Sequence, residues 1–232
     1  MSAYESAEDL VSIREERGQV ETARRALEGI ERYVAPARML DLGAWTGSFM
    51  FAARARGWSP VGLEPSEWAR SRAVARGLDV RPGDLFAPPV DPHSFGLVVL
   101  GDVLEHVREP VMALTIIRDL LEPGGALYLT IPNAGSTLAR TLGRRWWSVL
   151  PMHLQYFTPS SVALALTRAG FSVLFMSTHA KVFSARYYAE RLAGYSDLLS
   201  RPLVRSVELL GVADRLVAPN FGDRLAVLAM PK

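Results

Sequence analysis

The stretch RMLDLGAWTGSF, Arg38 to Phe49, constrains the fold more than any other part of the chain. Met39, Leu40 and Leu42 form a short apolar run behind Pro36, the pattern of a fully buried parallel strand. Gly43 and Gly47 bracket the turn that follows, where glycine reaches backbone angles denied to other residues and lets a ligand approach the main chain. Ser48 is placed to cap a helix beginning at Phe49. Asp41 would stand near the carboxyl end of the strand, beside the crevice in which open α/β sheets bind ligands.

Further acidic residues fall where such a crevice needs them. SPVGLEPS reads as a second strand, Pro60 to Leu63, ending in Glu64, roughly the 20-residue interval at which a carboxylate meets ribose hydroxyls. Asp84 follows in RPGDLF, after a short strand from Leu78 to Arg81. Three acids at three successive strand ends suit ribose and adenine, whereas phosphates would want glycines, lysines and helix amino ends. A dinucleotide fingerprint also fails on spacing, because Gly43 and Gly47 give G-x-x-x-G rather than G-x-G-x-x-G.

On these residues the chain resembles the class I S-adenosylmethionine (SAM) dependent methyltransferases, in their small-molecule branch. DLGAWTG resembles their D-x-G-x-G-x-G loop, Glu64 their ribose-binding acid, and GDLF their adenine-contacting segment. The similarity continues through FGLVVLGDVLEHV and LEPGGALYLTIPN and covers about residues 36 to 178. It implies SAM as cofactor, held by Asp41, Gly43, Ala44, Trp45, Gly47, Glu64, Pro65, Asp84, Leu85, Gly101 and Asp102. Trp45 departs from the pattern by standing where the middle glycine belongs, which bears on how the loop meets the methionine part of SAM.

A chain of 232 residues that is 49% hydrophobic can bury one large core, so a single domain is expected. Twenty-six Lys and Arg against 24 Asp and Glu leave a net charge of +2, too balanced for a nucleic-acid tract. Zero cysteines exclude disulfides and thiolate metal sites and are compatible with a reducing compartment. With no apolar signal core at the start and no run of 18 apolar residues, the default expectation is a soluble cytoplasmic protein.

Glu8 to Tyr33 reads as one or two amphipathic helices, a lid over residues 1–35. Strand and helix then alternate: Met39 to Leu42, Phe49 to Arg56, Pro60 to Leu63, Glu67 to Arg76, Leu78 to Arg81, Leu97 to Leu100, Pro110 to Leu121, Ala126 to Ile131. A helix from Thr158 to Arg168 and strands at Phe171 to Thr178 and Arg224 to Met230 complete the series. Alternation predicts an α/β doubly wound sheet with helices on both faces. The resemblance makes it Rossmann-like and seven-stranded, mostly parallel with an antiparallel last strand. Residues 36–178 and 223–232 form its core, with substrate-side insertions at 133–158 and 179–222.

Methyl transfer from a sulfonium is an in-line displacement with an activated leaving group, so positioning carries much of the catalysis. The acceptor must still lose a proton, and histidine is the natural base. Of the four histidines, His153 in LPMHLQYFTP is the preferred base and His106 in GDVLEHV the second candidate. His93 and His179 read as structural or solvent-exposed. Asp102, Glu105 and His106 would form a metal site in the quinone O-methyltransferases that this segment resembles, but structural hydrogen bonding that fixes the loop and helix entry is the favoured reading of Glu105 and His106, and no metal is expected. Trp147, Tyr156, Arg186 and Tyr187 are the candidate substrate contacts, with Trp146 and Phe157 as neighbours, although packing of the insertion onto the sheet is the favoured reading of Trp147, Tyr156 and Phe157. Arg140, Arg144 and Arg145 beside Trp146 and Trp147 admit an acidic substrate or a peripheral membrane contact, although such a cluster is more often a solvated helix end beside a packed tryptophan pair. The expected activity is SAM-dependent methylation of a small acceptor of sugar, quinone or secondary-metabolite type, with oxygen favoured. The alternatives are a SAM-binding protein without catalysis, acting as a regulator or scaffold, and a related fold that binds no SAM.

Overall fold

The computed structural model describes residues 10–192 and 197–232, with the backbone alone for 197–199. Its strands are β1 (Arg38–Leu42), β2 (Ser59–Leu63), β3 (Asp79–Arg81), β4 (Phe95–Gly101), β5 (Leu121–Pro132), β6 (Phe171–Thr178), β7 (Phe183–Ser184), β8 (Leu216–Val217) and β9 (Arg224–Pro231). The helices are α1 (Leu10–Arg14), α2 (Glu16–Ile30), α3 (Ser48–Arg54), α4 (Glu67–Ala75), α5 (Pro110–Leu120), α6 (Thr137–Leu142), α7 (Pro159–Arg168), α8 (Ala185–Arg191) and α9 (Asp197–Leu209). Seven strands form one sheet in the order β3-β2-β1-β4-β5-β9-β6. β1 pairs in parallel with β2 and β4, and β4 with β5, while β9 runs antiparallel between β5 and β6. This is the Rossmann-like sheet expected, with the last strand inserted inside it.

The strands read as continuous apolar runs because successive side chains point to opposite faces and both faces are covered. Met39, Leu97, Val99 and Tyr128 pack with Leu27 and Ile30 of α2 and Met50 of α3. Leu40, Val98, Leu100 and Leu129 pack on the other side with Leu114 and Ile117 of α5 and Leu166 of α7. The start of α7 matches the sequence pattern: Pro159 lies in the first turn, and Thr158 and Ser161 cap it reciprocally, satisfying donors the helix leaves free.

Three details differ from expectation. Ser48 does not cap α3; the cap position is Gly47, in the left-handed region at φ +78°, and the Ser48 hydroxyl donates to Gln19 Oε1 at 3.1 Å. β5 begins at Leu121 rather than Ala126, because Leu121 pairs with Phe95 across an irregularity in the ladder. Within 179–222 the helical pattern holds for α8 and α9, but β7 and β8 add an antiparallel ribbon that no periodicity announced. Residues 8 and 9 of the expected first helix lie outside the described residues, as do 193–196 of the second insertion. Among the described residues no helix is long and apolar enough to cross a membrane.

The parallel strands all present their carboxyl ends at one edge, and the two insertions and α1–α2 gather there. Glu15 holds the amino-terminal segment to β7: its carboxylate accepts from Ser184 N at 2.7 Å and from the Ser184 hydroxyl at 2.8 Å. The Thr22 hydroxyl accepts from Val182 N at 2.7 Å. Gly18 makes the approach possible, since a Cβ there would stand 2.2 Å from Val182 O.

Candidate active site

Two cavities open at the carboxyl edge. The first, about 410 Å³, lies between the Gly43 turn, the end of β4 and α1–α2, and is lined by Gly43, Trp45, Gly101 and Asp102 together with Ser12, Glu15 and Gln19. The second, about 870 Å³, is a half-open cavity lined mainly by the insertions and includes Trp147. His179, Lys181, Phe183 and Tyr187 line both, so the cavities meet at these residues.

The turn after β1 is held from beneath. Gly43 N and Ala44 N donate to Leu63 O at 2.9 and 3.2 Å, and the Arg76 guanidinium donates to Thr46 O at 2.7 Å. Both glycines have positive φ, but the space their missing Cβ atoms leave is taken by protein. A Cβ on Gly47 would meet Leu78 at 2.3 Å, and one on Gly43 would meet Val103 at 2.6 Å. The left-handed backbone and these close neighbours both favour glycine at the two positions.

Trp45 takes the left-handed conformation at φ +49°, a cost for a bulky residue that its contacts offset. Its amide donates to Glu64 Oε2 at 2.9 Å, its indole Nε1 donates to the Ser12 hydroxyl at 3.0 Å, and its ring lies 5.5 Å from that of Trp68. Glu64 also accepts from Ser66 N at 2.8 Å and is wholly buried. Burial raises its pKa although the two amides oppose the shift. It lines neither cavity, so the expected ribose acid lies beneath the Trp45 turn. Asp41 is buried too, and loss of solvation, with Glu64 nearby, pushes its carboxyl up to about 7. Asp84 sits at an exposed turn, where its carboxylate accepts from Phe86 N at 2.7 Å and Ala87 N at 3.0 Å. Ala44 and Leu85 are buried and Pro65 is exposed.

Asp102, in the left-handed region at φ +57°, faces the first cavity with its carboxylate already engaged. It pairs with Lys181 and Arg224 and accepts from the Thr130 hydroxyl at 3.3 Å. Burial lowers the Lys181 pKa and brings that of Arg224 to about 10. His179, at the carboxyl end of β6, is the histidine of both cavities, contrary to its reading as a bystander. Desolvation and then the Lys181 charge lower its pKa to about 4, so its ring is neutral at physiological pH. Lys181 and Arg224 were missed because nothing local marks them. His179 carried a signal, its place at the carboxyl end of a strand of this sheet.

His106 and His153 line neither cavity. Their rings meet edge to face at 4.8 Å, and the His106 Nδ1–H donates to Met152 O at 3.0 Å. Glu105 O accepts from Leu154 N and Gln155 N at 2.8 and 3.0 Å, which clamps the 150–156 loop to the end of β4. Burial lowers the pKa of each histidine and pushes the Glu105 carboxyl up to about 7. One ligand-type atom from each of Glu105, His106 and His153 falls within 4.8 Å of the others. Asp102, grouped with Glu105 and His106 by the sequence, belongs instead to the Lys181 and Arg224 pair. Of the four candidate substrate contacts, Trp147 and Tyr187 line the second cavity; Tyr156 is exposed and Arg186 pairs with Glu208, and neither lines a cavity.

Comparison with known proteins agrees with this architecture. Residues 16–175 match the family model described as a methyltransferase domain. A ubiquinone biosynthesis O-methyltransferase of Aeromonas salmonicida is 26% identical over 154 residues, covering 60% of this chain and 65% of that protein. The chain thus spans under two thirds of the length of this curated relative. Among solved structures, a SAM-dependent methyltransferase of Thermotoga maritima, described as a possible histamine N-methyltransferase, superposes with a TM-score of 0.63 at 18% identity, covering 95% of this chain and 92% of that one. One from Archaeoglobus fulgidus gives a TM-score of 0.64 at 17% identity, with coverages of 95% and 99%. The chain belongs to the methyltransferase-domain family, the SAM-dependent class I group that its sequence resembles.

Proposed function

We propose that the protein transfers the methyl group of SAM to a hydroxyl of a small organic acceptor. The observation that carries this reading is the meeting of two cavities at the carboxyl edge, one beside the Gly43 turn and one within the insertions, across His179 and Lys181. The first would hold SAM and the second the acceptor, which brings both reactants to one place. The curated O-methyltransferase relative supports oxygen as the atom methylated. In the step, the methyl carbon leaves sulfur with the bonding pair remaining there, giving neutral S-adenosylhomocysteine, and a C–O bond forms to the acceptor. The hydroxyl proton passes to the neutral His179 ring, so charge balances. The ammonium of Lys181 would favour the developing oxyanion, which compensates for the weak basicity of an imidazole with so low a pKa.

Calorimetric titration with SAM and with S-adenosylhomocysteine tests the reading, and micromolar binding of both is expected. Absence of binding by either overturns it.

A further inference from the structure

Resting on the assignment of the first cavity to SAM, we infer that the second is a chamber for a bulky fused-ring phenol, held with its hydroxyl at the shared end and its rings inside the insertions. A volume of about 870 Å³ lies toward the upper end of the ~300–1,000 Å³ usual for drug-sized ligands. The wall is a connected series of rings. Phe183 lies 4.2 Å from Tyr187, Tyr187 5.5 Å from Tyr188, Tyr188 6.3 Å from Phe221, and Phe221 5.9 Å from Trp147. Arg191 of α8 lies 5.3 Å over Trp147 and 5.6 Å over Tyr187, so the two insertions are tied into one wall. The Tyr188 hydroxyl donates to Lys181 O at 2.7 Å, which fixes that ring. Leu138, Leu203, Val207 and Val217 complete the apolar lining.

Fixed rings of this kind favour flat aromatic ligands through dispersion and edge contacts. A sugar carries hydroxyls on every side and would leave several without partners against such a wall. Polar side chains gather mainly at the junction: His179 and Lys181 belong to both cavities, Arg224 reaches the first through Asp102, and Asp223 adjoins Arg224 in the chain, while the remaining charge of the lining, Arg191, is taken up over the Trp147 and Tyr187 rings. The occupant therefore has one polar end, at the junction, and an otherwise apolar body.

Fluorescence titration with 1-hydroxypyrene tests this, with phenol, 1-naphthol, methyl glucoside and 1-dodecanol as competitors and S-adenosylhomocysteine calorimetry in parallel. Saturable binding at least about tenfold tighter than phenol is expected, a difference of about 1.4 kcal/mol, with no displacement by the glucoside. Ala218→Trp and, separately, Val207→Trp, both in the chamber lining, should each weaken 1-hydroxypyrene at least about tenfold while S-adenosylhomocysteine binding persists and reports folding. With SAM present, 1-methoxypyrene should form. No binding, binding untouched by both variants, or displacement by 1-dodecanol more readily than by 1-naphthol would overturn the inference. Loss of S-adenosylhomocysteine binding in the parent protein, with 1-hydroxypyrene still bound, would instead sink the SAM assignment on which it rests.

Discussion

His179 and His153 differ in what surrounds them, and the proposed base role of His179 rests on that difference. His179 stands where the two cavities meet, whereas His153 packs against His106 and lines neither. Replacement of His179 by Ala should lower kcat by about 10²-fold or more with little change in SAM affinity, read by steady-state kinetics and calorimetry. His153→Ala should leave turnover close to that of the parent; the reverse pattern would return the base role to the histidine that the sequence favoured. Glu64 poses a different question, since its carboxylate supports the Trp45 turn from below. Glu64→Ala should weaken SAM at least about tenfold, about 1.4 kcal/mol, because the amide of Trp45 in the turn and that of Ser66 after β2 both lose their acceptor even before any ribose contact is counted. Unchanged affinity would move the ribose site elsewhere.

At the level of elements, α2 does two jobs: it covers one face of the sheet through Ala23, Leu27 and Ile30 and it abuts the segment that opens the second insertion. Gly18 is the point of contact. Alanine is the better helix former by about 1 kcal/mol, yet its Cβ would stand 2.2 Å from Val182 O, an overlap with backbone that no rotamer relieves. Gly18→Ala should therefore be net destabilising by about 1–3 kcal/mol, seen as a lowered Tm, whereas Gly29→Ala, with nothing within 4 Å of the added atom, should be neutral or stabilising. The sequence showed α2 through its apolar spacing but not this contact, because the partner lies on a distant segment. The same holds for Asp102, whose partners Lys181 and Arg224 are 79 and 122 positions away. Local patterns carry no trace of a pairing made only when β9 docks beside β5 and β6 beside β9.

Across the whole molecule, buried titratable groups set how stability follows pH. Asp41, at about 7 in the folded chain against an ordinary 3.8, keeps its proton between those values while the unfolded chain releases it. The native state then binds more protons, and stability falls as pH rises from about 4 to 7. His179 acts oppositely: between about 4 and 6.5 the unfolded chain takes up a proton that the folded ring refuses, so stability falls as pH drops. Asp41→Asn should remove its part of the loss on raising pH from 5 to 8, about 2–4 kcal/mol, measured by urea unfolding at each pH; an unchanged slope would show that Asp41 ionises normally. The doubly wound sheet was legible in the sequence because apolar runs, glycines and caps act over a few residues, and period-two alternation fixes which side chains enter each face. The turn after β1 and the acids at successive strand ends could be placed for the same reason. The cavities, the burial of Glu64 beneath Trp45 and the placing of His179, rather than His153, where the cavities meet were decided only by tertiary structure. They depend on which insertion lies over the carboxyl edge, and long-range packing and desolvation, rather than local propensity, determine that.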